Sequence, residues 1–272
     1  MTDAAQSTAS SATSRRRDIL ERVNDRGFAS VHELSEAFGV SQVTVRADVD
    51  RLAERGAVRR VRGGALANGH ARSERPFEEA RTSNAAQKAA IGVAAAALVE
   101  AGQTLVLDVG TTTAAVAAAL VARTDLTDVT IVTNGLNIAT ALEPALDRYT
   151  VVVTGGTLRR MQHSLVDPMG LVLLDRLHTD LAILGCNGVD VAAGVTNVNL
   201  PEVTVKQRML AAARRVVVVA DSTKLGHASL ARICDLDEVD VLVTGDAAGQ
   251  DELTALSATG LEVLQVPTPD AG

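Results

Sequence analysis

Residues Ser41 to Ala65 read SQVTVRADVDRLAERGAVRRVRGGA, and this stretch decides the fold of the N-terminal part of the chain. Ser41 is an N-cap by type, since its hydroxyl can accept one of the backbone N–H groups that the first helical turn leaves without a partner. Val45, Val49 and Leu52 recur at i, i+4 and i+7, the buried stripe of an amphipathic helix, which predicts a helix from about Ser41 to Glu54. Gly56 suits its C-terminal end. Val58-Arg59-Arg60-Val61-Arg62 then predicts a short basic two-stranded ribbon closed by Gly63-Gly64. A capped helix followed by an arginine hairpin is the arrangement of a winged helix-turn-helix, a form suited to duplex DNA.

The residues upstream complete that motif. Arg15 to Asp25 carries Ile19, Leu20 and Val23 at helical spacing before Gly27. Ser30-Val31-His32-Glu33 is a capping box that starts a second helix with Leu34 and Phe38 inward, and Gly39 makes the turn into Ser41. At about 100° per residue, placing Val45 in the core turns Val43, Arg46, Ala47 and Asp50 outward. The candidate DNA-contacting residues are therefore Ser41, Gln42, Val43, Thr44, Arg46, Ala47, Asp50 and Arg51 on the helix, and Arg59, Arg60 and Arg62 on the ribbon. Arg46 is placed to read a guanine edge or to hold a phosphate, and the ribbon arginines to follow backbone phosphates. A merely solvated charged face is the plain alternative for each element alone; their succession is what argues against it.

Charge follows the same division. The chain carries −7 overall, yet residues 15–62 hold 11 Arg against 8 Asp and Glu, so a +3 head precedes a −10 remainder. Phe28, Phe38, Phe77 and Tyr149 are the only aromatics, which argues against base-stacking platforms of the single-strand kind and leaves the core to Ala, Val and Leu. Cys186 and Cys234 are too few and too distant for a disulfide scaffold or metal knuckle, and read as small buried hydrophobes in a cytoplasmic protein. Nothing approaches the roughly 18 apolar residues of a membrane span. Residues 1–14 lack the basic and apolar regions of a signal peptide and are expected to be a disordered tail. The expected organisation is this tail, a winged helix-turn-helix over 15–66, a polar linker with Pro76 over 67–87, and an α/β domain over 88–272.

That last region alternates apolar strands with helices. An alanine-rich helix over Lys88 to Glu100 precedes a strand at Thr104 to Leu107 and a helix from Ala114 to Leu120. Further strands are expected at Val129 to Val132, Thr150 to Val153, Leu181 to Leu184, Val216 to Val219 and Val239 to Val243, which predicts a mostly parallel sheet covered on both faces. Ligands bind such sheets at the carboxyl ends of the strands. Those ends supply Asp108, Gly110, Thr111, Thr112 and Thr113; Asn134; Gly155 and Gly156; Asn187; and Asp221 and Lys224. A glycine and three hydroxyls before a helix N-terminus suit a phosphate or carboxylate, with Lys224 as countercharge. Each loop alone reads equally as a cap or a turn; five on one edge point to a site. Lys206, beside Met209 and Leu210, reads first as a solvated helix lysine and second as a ligand. His163 and His178 have no partner pattern that would make either a base or a metal ligand, and no catalytic or metal residue or cofactor is assigned.

Residues 15–65 resemble the DNA-binding domain of the DeoR family of bacterial regulators, matching its pattern at Ser41, Thr44, Val45, Arg46, Asp48, Arg51, Leu52, Gly56, Arg60, Gly63, Gly64 and Ala65. Ala47 stands where the family usually has a second arginine, and Val49 where it has leucine. Residues 75–245 resemble the family's effector domain at Lys88, Ile91, Asp108, Gly110, Thr111, Thr112, Thr133, Asn134, Gly155, Gly156, Gly185, Asn187, Gly188, Pro201, Glu202, Lys206, Asp221, Ser222, Lys224 and Gly226. Asp167 replaces a usual glycine, and Gly245 interrupts a usual Thr-Asp. The resemblance implies a fold related to ribose-5-phosphate isomerases and coenzyme A transferases, and adds Glu202 and Lys206 to the candidate effector-binding residues. It implies a repressor of carbohydrate-metabolism genes, a homo-oligomer of two or four chains, released from double-stranded operator DNA by a phosphorylated sugar or related anionic metabolite. The alternative is an active sugar-phosphate isomerase with an appended DNA-binding domain, for which Asp108, Glu202, Asp221 and Lys224 would be the acid–base candidates.

Overall fold

The computed structural model describes residues 3–26, 28–55, 57–61, 63–67 and 74–268, and the chain divides into two compact units, Met1–Ser73 and Glu74–Gly272. The first contains α1 (Asp3–Arg26), β1 (Phe28–Ser30), α2 (Val31–Phe38), α3 (Gln42–Glu54), β2 (Val58–Val61) and β3 (Gly64–Ala67). Ser30 and Glu33 form the expected capping box, and the Ser41 side chain accepts the Thr44 N–H to start α3. Between α2 and α3, Gly39 adopts φ +60, a left-handed conformation that costs a residue with a Cβ about 1 kcal/mol. Ile19, Leu34, Val45, Val49 and Val58 are buried together, so α1, α2, α3 and the ribbon share one core. The ribbon has a third strand: β3 pairs antiparallel with both β2 and β1.

Two expectations are corrected here. The tail at 1–14, expected to be disordered, is helical from Asp3, because Ala4, Ala5, Ala9 and Ala12 favour helix and no Gly or Pro interrupts them. The stretch 67–87, expected to be a linker, carries α4 (Phe77–Thr82) and the start of α5 (Ala85–Ala96), since Phe77 finds a buried seat within an otherwise polar run. Gly27, Gly56, Arg62 and residues 68–73 of that stretch lie outside the described residues.

The second unit continues with β4 (Thr104–Leu107), α6 (Thr111–Ala122), β5 (Val129–Thr133), α7 (Leu136–Leu142), β6 (Tyr149–Val153), β7 (Thr157–Arg159), β8 (Ser164–Val166), α8 (Met169–Leu174) and β9 (Thr179–Gly185). It closes with β10 (Gly188–Asp190), β11 (Gly194–Asn197), α9 (Leu200–Ala212), β12 (Ala213–Val219), β13 (Ala231–Cys234), β14 (Val241–Gly245), α10 (Gln250–Ser257) and β15 (Glu262–Val266). A seven-stranded sheet runs in the order β15-β14-β12-β9-β4-β5-β6, every pair parallel. Alternation divides its side chains: Leu105 and Leu107 pack with α5, α6 and α7, whereas Val106 packs with α8 and α9 on the other face. Gly92 permits the close crossing of α5 and α6, where an added Cβ would stand 2.6 Å from the Ala115 backbone.

The strand order places the site. From β4 the chain builds outward through β5 and β6, then returns to lay β9, β12, β14 and β15 on the opposite side of β4. The order reverses between β4 and β9, and in open α/β sheets ligands bind at such a switch point, beyond the carboxyl ends of the strands.

Candidate functional site

Two groups of residues answer the sequence reading, one in each unit. In the first unit Val43 is 72% exposed, and Gln42, Arg46, Ala47 and Arg51 are exposed beside it on α3. Asp50 is half-buried and forms an ion pair with Arg60 of β2, so Arg60 ties the ribbon to the helix. Asp48 faces the opposite way: it is buried and pairs with Arg15 at 2.7 Å and Arg16 at 3.8 Å, anchoring α1 against α3. Ser41 and Thr44 are engaged in the cap, their hydroxyls 2.9 Å apart. Of Arg59 only the backbone lies within the described part, and Arg62 lies outside it.

In the second unit the loops after β6, β5, β4, β9 and β12, five neighbouring strands, bring the candidate residues to one edge. At the β4–β9 switch point Asp108 is 0% exposed. Its Oδ2 accepts the Gly185 N–H at 3.0 Å and the Lys206 ammonium, which also donates to the Gly185 carbonyl at 3.0 Å. Lys206 is 2% exposed, which overturns its reading as a solvated lysine: α9 packs on the sheet through Val205 and Met209 and turns Lys206 inward beside them. Burial pushes the Asp108 carboxyl above the usual carboxylate range against the pull of Lys206. Burial also works against the Lys206 charge, but Asp108 and then Glu202 outweigh it and hold the ammonium protonated.

Two buried polar atoms at this point have no partner among the described residues: Asp108 Oδ1 and Asn134 Nδ2. Asn134 spends its carbonyl oxygen on the Val109 N–H at 2.9 Å, which fixes the amide and leaves its N–H₂ unsatisfied. Two residues beyond Asp108, Gly110 is the N-cap of α6 at φ +148 and provides no side-chain cap. The helix begins at Thr111, three residues earlier than expected, so Thr111, Thr112 and Thr113 form its first turn. Thr113 uses its hydroxyl on the Gly110 carbonyl at 3.1 Å. First-turn amides without a cap are donors for an anion.

Asp221 lies in the loop after β12. Burial would raise its pKa, but the charge of Lys224, the hydrogen bond from Thr223 and the charge of Lys88 lower it. Lys224 is half-buried, and among the described residues its ammonium has no hydrogen bond or ion pair. Gly155 and Gly156 take φ +74 and +117, and an added Cβ on Gly156 would stand 2.5 Å from the Val166 carbonyl, so this pair serves first to start the β7–β8 hairpin. Asn187 is exposed and accepts the Val198 N–H at 3.0 Å. Glu202, in the first turn of α9, accepts from Ser164 at 2.6 Å, from Asn197 at 3.3 Å and from Arg159. Arg159, Ser164 and Asn197 were not foreseen; the one available signal was an arginine three residues after the Gly-Gly turn. Burial pushes the thiols of Cys186 and Cys234 up to about 12, which makes both inert.

A DeoR-like helix-turn-helix domain matches residues 15–70, and a DeoR C terminal sensor domain matches residues 83–246. The chain belongs to the DeoR family of transcriptional regulators. The HTH-type transcriptional regulator GlpR of Haloferax volcanii is 35% identical over 92% of this chain and 96% of its own length. The glycerol-3-phosphate regulon repressor of Escherichia coli K12 is 32% identical over 85% of this chain and 90% of its own. Among solved structures, ribose 5-phosphate isomerase A of Methanocaldococcus jannaschii aligns with 52% of this chain and 55% of its own, at 19% identity and a TM-score of 0.39. This DeoR-family regulator thus joins a DNA-binding module to a sensor module. No helix among its described residues is long and apolar enough to cross a membrane.

Proposed function

We propose that this regulator is a cytoplasmic repressor that holds duplex operator DNA through α3 and the basic ribbon and releases it when a phosphorylated sugar or related anionic metabolite enters the β4–β9 crevice. The observation that carries the reading is the uncapped first turn of α6 next to Asp108 Oδ1 and Asn134 Nδ2, both buried without a partner. Phosphate takes the amides and the Lys224 charge; hydroxyls of the same molecule take the open carboxylate oxygen and the open amide. The two relatives support this choice, since one is named for glycerol 3-phosphate and for repression. A dimer or tetramer would present two or more α3 helices to successive half-sites, and the ligand would favour the arrangement that fits their spacing poorly. Turning such a switch from 1:99 to 99:1 takes about 5.5 kcal/mol of differential affinity, which two or three charge-assisted hydrogen bonds of about 1.5–3 kcal/mol each supply.

Thermal-shift screening against pentose, hexose and triose phosphates tests the sensor half, because a ligand at 100 times its dissociation constant adds about 2.7 kcal/mol. Fluorescence anisotropy on DNA from the protein's own promoter region tests the other half, and binding that ignores salt would defeat it. One observation favours an isomerase instead: Asp108 Oδ1 is open beside a lysine, as a proton-transfer pair would be. Against it, Glu202 and Asp221, the other two carboxylates of the acid–base candidates, are each held by several donors. Turnover of ribose 5-phosphate by the purified protein would decide for the enzyme.

A further inference from the structure

Arg159 stands where two parts of the second unit meet. On one side its guanidinium holds Glu202, which lies one helical turn before Lys206 on α9 and whose carboxylate also accepts from Ser164 and Asn197. On the other its guanidinium donates to both oxygens of Glu74, the first residue of the second unit. The hairpin bearing Arg159 repeats this grip residue by residue. Gln162 donates to the Arg75 carbonyl, the Phe77 N–H donates to the Met161 carbonyl at 2.8 Å, and His163 contacts Glu78 at 2.7 Å. The rings of Phe77 and His163 meet edge to face at 5.6 Å. The same hairpin is hydrogen-bonded to the crevice loop: the Leu165 N–H donates to the Asn134 carbonyl at 2.7 Å and the Leu136 N–H to the His163 carbonyl at 3.1 Å.

We infer that Arg159 and the β7–β8 hairpin form a clasp that reports occupancy of the crevice to the root of the interdomain connection at Glu74. The inference rests on the reading of the crevice as an anion-binding pocket. Two carboxylates share one guanidinium, and all three side chains are largely withdrawn from water, at 18% exposure for Arg159, 12% for Glu74 and 6% for Glu202. In that setting Arg159 cannot satisfy a third anionic claimant without weakening its hold on one of the first two. The proposed phosphate adds that claimant on the pocket side, where Glu202 lies one helical turn from Lys206 on α9. Arg159 then follows the pocket, Glu74 is released, and the segment from Glu74 to Glu78 loosens just where the second unit begins.

Amide hydrogen exchange on the full-length protein tests the clasp, with the Phe77 N–H and the peptide covering residues 74–79 as readout. Without ligand, Glu74→Gln speeds exchange there by about tenfold, the value of one charge-assisted contact. Glu202→Gln slows it by about threefold or more, because Arg159 is then left wholly to Glu74. Arg159→Lys, which keeps the charge but cannot bridge two carboxylates with a planar fork, abolishes the response to Glu202→Gln. Exchange at 74–79 that is indifferent to Glu202→Gln, in a variant with an unchanged circular dichroism spectrum, overturns the clasp. With ribose 5-phosphate or glycerol 3-phosphate, whichever raises the melting temperature, exchange at 74–79 speeds in the parent but not in Glu74→Gln, although Glu74→Gln shows a thermal shift at least as large as the parent's, because it no longer has that contact to lose. A ligand that binds the parent and leaves 74–79 unaltered also overturns it. Absence of any thermal shift would count against the pocket reading, and the ligand-free arm would still decide the clasp.

Discussion

Replacing Lys206 by Met isolates the energetics of the crevice, because Met matches the lysine stem in length and removes only the charge. Asp108 is fully buried and Lys206 is its sole cationic contact among the described residues, so the variant must either bury an unpaired carboxylate or protonate it. Protonation is the cheaper course. Taking a proton at pH 7 onto a carboxyl that ionises near 3.9 in the unfolded chain costs about 4 kcal/mol, at about 1.36 kcal/mol for each pH unit. The folded pKa of Asp108 in the variant lies above its unfolded value, so the folded state binds the extra proton and its stability falls as pH rises. Relative to the parent, whose own Asp108 is raised less, Lys206→Met is therefore expected to lose more stability at pH 7 than at pH 5, by up to about 4 kcal/mol at pH 7. For a unit of this size that figure corresponds to a fall of about 8–16 °C in melting temperature. Urea denaturation at half-unit pH intervals measures the slope. The double variant with Asp108→Asn, which keeps an acceptor for the Gly185 N–H, should lose less at pH 7 and show no such slope. A deficit in Lys206→Met that does not change between pH 5 and 7 would refute the placement of Asp108 in a closed, low-dielectric pair.

Arg46→Ala is expected to relax base preference at one operator position by about 1–3 kcal/mol, whereas Arg60→Ala weakens binding to all sequences and lowers the salt slope by about one. Equal effects in a salt titration would make Arg46 another phosphate contact. Asp48→Ala leaves Arg15 and Arg16 without their shared carboxylate and should cost the first unit about 1–3 kcal/mol, read by urea denaturation, although Asp48 faces away from the exposed side of α3. Gly245→Ala would place a Cβ 2.3 Å from the Gln87 side chain, whose amide donates to Ser222 Oγ at 3.1 Å and accepts the Ser222 N–H at 2.7 Å. Displacing it should cost about 1–3 kcal/mol, and Gln87→Ala in the same chain should recover part of that in thermal denaturation.

What could be seen in the sequence was whatever repeats with a clear period or obeys a local rule. The Ser30 capping box, the Val45-Val49-Leu52 stripe and the Thr104–Leu107 strand stand where their patterns put them. The positions of Asp108 and Asn134 at one sheet edge followed from strands alternating with helices. The β7–β8 hairpin and the antiparallel group β10, β11 and β13 were not visible, because strands of three or four residues that mix polar and apolar side chains display neither an apolar run nor a clear alternation. Lys206 was undecided for a related reason: a lysine on a helix looks the same in sequence whether it faces water or a buried carboxylate 98 residues away. Arg159 likewise takes its meaning from Glu74 and Glu202, 85 and 43 residues distant.

The two departures from the family pattern in the second unit show the same dependence on distant partners. Asp167 occupies φ +27, in the left-handed region where glycine is favoured and where aspartate is among the few tolerated alternatives. Its side chain is exposed, and its backbone carbonyl takes the Thr157 N–H at 3.1 Å, so the position is required by the close of the β7–β8 hairpin rather than by a ligand. The aspartate at 167 is thus explained first by backbone geometry. Gly245 has the complementary cause. Gln87, buried on α5, lies against it and reaches across to the turn that begins after Asp221, a packing that any side chain at 245 would obstruct. Since Asp221 also takes the Asn84 amide at 3.3 Å, the loop bearing Lys224 is held to α5 from both ends of one short segment. A glycine that looked like an interruption of a strand end is therefore the condition for fixing the cation that the proposed phosphate would meet.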